Sequence, residues 1–304
     1  MSRGGPPPLA PGTEVAPGYR LIEHLSRGRT LDVHDAWSDD RGTRCIVKAL
    51  RPDRTGDRAA ANRLVAEGRL IRRLAHPHVV RGYEALTVPR PLVVMETLTG
   101  ETLAHLIDES PRRLPVQEIA HLGLHLGSAI RYLHRQGWLH LDLKPSNVIA
   151  EAGRAKLIDM SVARRMGPSR GGAGTWCYMA PEQVTGGYLG PAVDVWGLGT
   201  VLYEATTGRA AFDPPEPTGE GEPEDPDPGS DTDADERHHH QLDGPPPPVR
   251  RLRRVPAELV ELIDACLDPS PAARPSVDAV LAELEPLAGV SPRDRRFPQP
   301  SGAA

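Results

Sequence analysis

The sequence predicts an α+β fold of two lobes, a small strand-rich half followed by a larger helical one. Three observations lead there. Between Tyr19 and Met95 the apolar residues come in short runs bounded by turn residues, as strands do. Within that half a single stretch departs, where Leu64, Glu67, Leu70, Ile71 and Leu74 recur at helical spacing. Beyond residue 97 the apolar positions lengthen into helical stretches at 119–137, 193–208 and 255–287. The change of character implies two lobes with a cleft between them.

Taken in order, residues 1–18 are a Pro/Gly leader, expected to be disordered. The first lobe covers 19–97. Its strands fall at 20–25, 43–50 and 92–95, and its helix stops before His76-Pro77. The second lobe covers 98–289. It is interrupted at 213–248 by Pro, Gly and acidic residues with almost no apolar content. Such a segment buries too little surface to offset its ordering entropy, so disorder is expected. The same holds for the tail, 290–304. His238-His239-His240 is read as part of that polar linker.

The chain has 304 residues, enough for two such lobes. The net charge of -5 hides a division. Eleven of the 41 acidic residues lie in 213–236, which has no Lys or Arg, and the rest of the chain carries 36 bases against 30 acids. The folded part is therefore mildly basic, which suits an anionic ligand. The N-terminus lacks the apolar centre of a signal peptide, and no run of about 18 apolar residues suggests a membrane span. Cys45, Cys177 and Cys266 form no CxxC pair, which points away from zinc or disulfide frameworks and toward a reducing cytoplasm.

Several motifs follow one another in a telling order. Cys45-Ile46-Val47-Lys48 precedes the helix bearing Glu67. His140-Leu141-Asp142-Leu143-Lys144-Pro145-Ser146-Asn147 follows the first long helix. Asp159 closes the short apolar strand Lys156-Leu157-Ile158. Gly174-Thr175-Trp176-Cys177-Tyr178-Met179-Ala180-Pro181-Glu182 comes next, then Asp194-Val195-Trp196-Gly197 and Ala273-Arg274-Pro275-Ser276. In this order, residues 19–289 resemble the protein kinase domain, in particular the Ser/Thr kinases of bacteria. The resemblance implies a two-lobed protein-kinase-like fold. It also implies a signalling transferase that moves the γ-phosphate of MgATP to a Ser/Thr hydroxyl of a protein substrate. No nucleic-acid polymer partner is implied.

The resemblance also assigns roles. Asp142 accepts the hydroxyl proton, Lys144 reaches the transferring phosphoryl oxygens, and Asn147 and Asp159 are the metal ligands for Mg2+. Lys48 pairs with the α- and β-phosphates and is aimed by Glu67, because a lysine inward on an apolar strand needs an anionic partner. Thr175 bonds near Asp142 and Lys144, Glu182 pairs with Arg274, and Asp194 anchors the catalytic-loop backbone. Met95 lines the adenine pocket, with Glu96 and Leu98 offering hinge backbone groups.

The departures fall outside these groups. Where the family has a Gly-rich loop, this chain has Leu25, then Ser26-Arg27-Gly28-Arg29-Thr30-Leu31-Asp32-Val33, with only the middle glycine present. Weaker ATP binding is expected, with Arg27 and Arg29 either adding charge or simply solvated. Ile46 narrows the purine pocket, and Asp159-Met160-Ser161 stands in place of the usual Asp-Phe-Gly. Leu141 replaces the Arg that pairs with an activation-loop phosphate, so activity is expected without that phosphorylation. The alternative reading is a pseudokinase, a scaffold that holds nucleotide weakly or not at all.

Overall fold

The computed structural model describes residues 5–110, 113–212 and 238–289. They divide into two units. One holds the chain up to Gly100 together with Lys156–Ala163, and the other holds Glu101–Ala155 and the chain from Arg164 onward.

The first unit is built on an antiparallel sheet. Its strands are β1 (Glu14–Ala16), β2 (Tyr19–Arg27), β3 (Leu31–Ser38), β4 (Thr43–Leu50), β5 (Gly82–Leu86) and β6 (Leu92–Glu96), in the order β1-β2-β3-β4-β6-β5. The period-2 pattern sorts the side chains between two faces. One face packs Ala36, Cys45, Val47, Ala49, Leu92 and Val94 against Val15, Ala16, Tyr19 and Leu21. The cross-strand triplets Val33–Lys48–Val93 and Asp35–Ile46–Met95 share the other face. Helix α1 (Arg58–Ile71) begins where Asp57 accepts the Ala60 N–H at 2.9 Å, an N-cap, and it turns Leu64, Glu67 and Ile71 inward. Lys156–Ala163 joins this unit through Val80 N–H to Leu157 O (2.8 Å) and Leu157 N–H to His78 O (3.0 Å).

The second unit is mainly helical. Strand β7 (Glu101–Thr102) leads into α2 (Leu103–Glu109), then α3 (Val116–Arg135). Five short strands follow, β8 (Trp138–Leu139), β9 (Val148–Glu151), β10 (Arg154–Leu157, its last two residues counted with the first unit), β11 (Arg164–Arg165) and β12 (Gly167–Ser169). After α4 (Pro181–Thr185) and β13 (Gly187–Leu189) come α5 (Ala192–Thr207), α6 (Val249–Leu252), α7 (Ala257–Cys266) and α8 (Val277–Leu287). Helix α5 is buried along almost its whole length, and α3 packs against α5 and α8. An apolar helix surrounded in this way is the core of the unit.

Two expectations of disorder are corrected. In the leader, β1 pairs with β2 and buries Val15 and Ala16. The turn closes at Gly18, whose φ of +77° suits glycine and whose N–H donates to Glu14 at 3.0 Å. A burying Val-Ala pair was obscured by the surrounding Pro and Gly. In the acidic segment, residues 238–248 are ordered. His240–Leu242 forms one 3₁₀ turn, Gln241 is buried, and the Tyr203 hydroxyl donates to Pro247 O at 2.8 Å. Residues 213–237 and the tail 290–304 lie outside the described residues, as does the start of the leader.

Arg274 ties α4 and α5 to the turn before α8. Its guanidinium grips Glu182 with two bonds of 2.7 and 2.9 Å and also donates to the carbonyls of Ala192, Asp268 and Pro269. It stacks on Trp196 at 4.9 Å. Removing one partner strands a buried charge. Arg274→Ala should therefore lose about 3–5 kcal/mol in denaturant unfolding, where an exposed pair would lose under about 1 kcal/mol.

Candidate active site

In the first unit, β4 and α1 bring Lys48 and Glu67 together. The ammonium lies 2.8 Å from Glu67 Oε1 and 3.3 Å from Asp159 Oδ1. Burial alone would lower the Lys48 pKa, but the charges of Asp159 and Glu67 outweigh it and the net shift is upward. Burial likewise favours the neutral form of Asp159. The charge of Lys48 and hydrogen bonds from Ser161 prevail, so its carboxyl sits well below the usual range. Two carboxylates thus share one ammonium. Glu67, held above its ordinary value by burial and by Asp159, is the less ionised of the two.

The backbone after Asp159 holds its carboxylate. The Ser161 N–H donates to Asp159 Oδ1 at 2.8 Å. Met160 is buried, and its N–H approaches Glu67 Oε1 at 3.5 Å. An ionised carboxylate of this kind is a hard oxygen donor and fits a divalent cation of the Mg2+ type.

The loop between β2 and β3 differs from expectation. Arg27 is neither solvated nor free to add charge. It holds the buried Asp32 with two bonds of 2.8 and 2.9 Å, and donates to Pro6 O at 2.7 Å. The tip is fastened by Arg51, which donates to Gly28 O at 3.2 Å and Arg29 O at 3.1 Å. Leu25 and Ser26 are exposed, whereas Val33 and Ile46 are half-buried beside Lys48 and Met95. Asp35, unanticipated on that face, is buried with Arg44 at 2.7 Å. At the hinge, the Glu96 side chain takes the Arg81 N–H (2.9 Å) and Lys156 (2.7 Å), and Leu98 is half-buried.

In the second unit, the loop after β8 is organised around Asp194. This buried carboxylate accepts the His140 and Leu141 N–H groups, each at 2.9 Å, and His134 Nε2 at 2.8 Å. Burial opposes its ionisation, but the hydrogen bond and charge of His134, aided by His140, hold the pKa below the ordinary value. Leu141 is thereby kept at φ +68°, a left-handed conformation that costs a leucine about 1–2 kcal/mol. Its carbonyl accepts Gln183 Nε2 at 2.9 Å, so the strained residue is held from both sides.

Asp142 follows directly. Its Oδ1 accepts the Thr175 N–H (2.9 Å) and hydroxyl (2.6 Å), while Oδ2 accepts Asn147 Nδ2 at 2.8 Å. Lys144 donates to Thr175 Oγ1 at 2.5 Å and stands 3.7 Å from Asp142 Oδ2. Asn147 Nδ2 also donates to Asp142 O at 2.9 Å, which turns its amide oxygen away from Asp142 and leaves it suited to a hard cation. The chemistry on offer is a fixed carboxylate acceptor beside a cation and a neutral oxygen ligand.

Gln183 carries no motif in the sequence. It donates to Ala173 O (2.7 Å) as well as Leu141 O, accepts the Ala180 N–H (3.0 Å), and its backbone oxygen accepts the Gly172 N–H (2.8 Å). Beside it, Gly174 has φ +131°, and a Cβ there would lie 2.8 Å from Leu141 O.

A family model described as the protein kinase domain matches residues 19–284. A probable serine/threonine-protein kinase of Thermomonospora curvata is 32% identical over 286 residues, covering 91% of this chain and 35% of that protein. A probable serine/threonine-protein kinase of Bifidobacterium longum is 32% identical over 230 residues, covering 70% of this chain and 32% of that protein. The chain thus spans about a third of the length of these curated relatives. The crystal structure of the Mycobacterium tuberculosis PknI kinase domain matches in fold, with a TM-score of 0.68 at 23% identity, over 92% of this chain and 99% of that one.

Ionised Asp159 contributes stability that is complete above the unfolded carboxylate pKa of about 4 and fades as pH falls toward its lowered folded value. The stability gap between the wild type and Asp159→Asn, from urea unfolding, should therefore shrink as pH falls below about 4.

Proposed function

Since the chain belongs to the protein kinase domain family, we propose that it is a Ser/Thr protein kinase acting on protein substrates with MgATP. The observation that carries this reading is the fixed carboxylate of Asp142, held by Thr175 and Asn147 with Lys144 alongside. In the proposed reaction a Ser/Thr hydroxyl oxygen forms a bond to the γ-phosphorus, the bond to the bridging oxygen breaks, and the hydroxyl proton passes to Asp142. Lys144 balances charge on the transferring oxygens. Lys48, positioned by Glu67, holds the α- and β-phosphates. Asn147 and Asp159 would hold Mg2+, which supplies charge neutralisation at the phosphates. Val33, Ile46, Met95, Glu96 and Leu98 would serve the nucleoside.

We further propose that activation-loop phosphorylation is not required. Leu141 offers a phosphate no charge, and the segment is already held by hydrogen bonds within the chain. β12 pairs with β13, Ser169 Oγ accepts Arg164 (3.2 Å) and the Gly171 N–H (3.3 Å), and Gln183 binds Ala173. A cytoplasmic setting is consistent with the three free cysteines. Among the described residues, no helix is long and apolar enough to cross a membrane.

The test is transfer of labelled γ-phosphate from MgATP to a Ser/Thr peptide library. Asp142→Asn should lower kcat by at least about a hundredfold with nucleotide binding intact. Equal labelling by both proteins would sink the kinase reading. Nucleotide binding without transfer by the wild type would instead assign a scaffold role.

A further inference from the structure

The His238–Asp243 turn, expected to be bare linker, brings two imidazoles onto one carboxylate oxygen. His238 Nε2 lies 2.5 Å and His240 Nδ1 3.5 Å from Asp243 Oδ2. One ligand atom from each of the three residues falls within 4.8 Å of the others. Donors bound tetrahedrally at 2.0–2.1 Å from zinc stand about 3.3 Å apart, so His238 must back away from Asp243 by less than about 1 Å, and donors as much as 4.8 Å apart must draw together by up to about 1.5 Å, both within reach of side-chain rotation on exposed and half-buried residues. Two imidazoles and one carboxylate suit Zn2+ and disfavour Mg2+ or Ca2+, which prefer all-oxygen shells.

The turn is held in place by groups outside the cluster. Gln241, buried between the two ends, donates through Nε2 to Trp176 O at 2.8 Å. The Trp176 ring lies edge-on to His240 at 5.9 Å and tilted against His239 at 6.1 Å. His239 therefore faces Trp176 and not the carboxylate, although it is the middle of the histidine run. Trp176 immediately follows Thr175, whose hydroxyl binds Asp142.

We propose that His238, His240 and Asp243 form a zinc site whose occupation fixes this turn against Trp176, at the end of the segment that reaches Asp142. Three protein ligands leave a fourth position for water. Because each ligand comes from a six-residue turn, binding removes few degrees of freedom and needs no rearrangement of the helices.

The test uses the full chain without an affinity tag, titrated with Zn2+ alone against a chromophoric chelator, and with Co2+ as a spectroscopic probe. His238→Ala, His240→Ala and Asp243→Asn should each weaken binding by at least about tenfold and abolish an intense tetrahedral Co2+ absorption band. His239→Phe, which keeps a ring against Trp176 but removes its nitrogens, should leave affinity unchanged. Zn2+ should also shift tryptophan emission in the wild type and not in Trp176→Phe. An adventitious histidine run would lose affinity with His239→Phe as much as with its neighbours and would be indifferent to Asp243→Asn, and either result overturns the site. An emission shift that persists in Trp176→Phe would overturn the coupling to that segment. The readout is metal binding alone, so it stands whether or not the chain transfers phosphate.

Discussion

The second unit depends on one buried carboxylate. Asp194, in the first turn of α5, gives its oxygens to two successive backbone N–H groups and to His134. Without that anchor Leu141 has no reason to occupy the left-handed region, and the direction of Asp142 follows from Leu141. An ionised acceptor receiving charge-assisted hydrogen bonds in a dry setting can hold a strained backbone that neutral contacts would release. Its lowered pKa expresses the same balance, since the groups that bind it overcome its burial.

From this anchor the order extends outward through backbone, amide and hydroxyl groups. Leu141 O meets Gln183, Gln183 meets Ala173 and Ala180, and Thr175 returns to Asp142. The chain closes on itself without calling on a phosphate. In the first unit a different arrangement serves a similar end. There a single ammonium lies between Glu67 and Asp159 and favours the charged form of both, and Ser161 holds Asp159 through its backbone N–H. Glycine would offer the same backbone N–H; what serine adds is a side-chain hydrogen bond that helps lower the Asp159 pKa, together with a more restricted backbone.

Much of this was legible in the sequence, and the reasons for what was not are physical. Strands β2, β4 and β6 and helices α1, α3, α5, α7 and α8 follow from apolar runs and periodicity, because each buries one face or all of its surface. The pair Lys48–Glu67 could be named because an inward charge demands an opposite one, and Glu182–Arg274 because the motifs that carry them resemble those of the family. Gln183, Arg51 and Asp35 escaped notice because amide-to-carbonyl contacts and cross-strand neighbours leave no spacing signal in a chain. Arg27 was misjudged because its partner, Asp32, is set by the register of a hairpin whose turn has no strong motif. Strand β1 and the turn at 238–243 were obscured by Pro, Gly and acid around them. Composition averages over a segment, whereas Val15 and Gln241 each need only one place to be buried.

The central claim is that the loop bearing Asp142 and the segment reaching it are held by the protein's own hydrogen bonds. It is tested most directly at Ser169, whose hydroxyl meets Arg164, the cation that a phosphate there would engage. The measurement is the rate of phosphotransfer by phosphatase-treated chain, verified as unphosphorylated by mass, for the wild type and Ser169→Ala. The account predicts transfer by both, with rates within about tenfold of untreated protein, a difference of about 1.4 kcal/mol or less in the barrier. Transfer that is absent until Ser169 is phosphorylated, or a loss in Ser169→Ala well beyond tenfold, would contradict it.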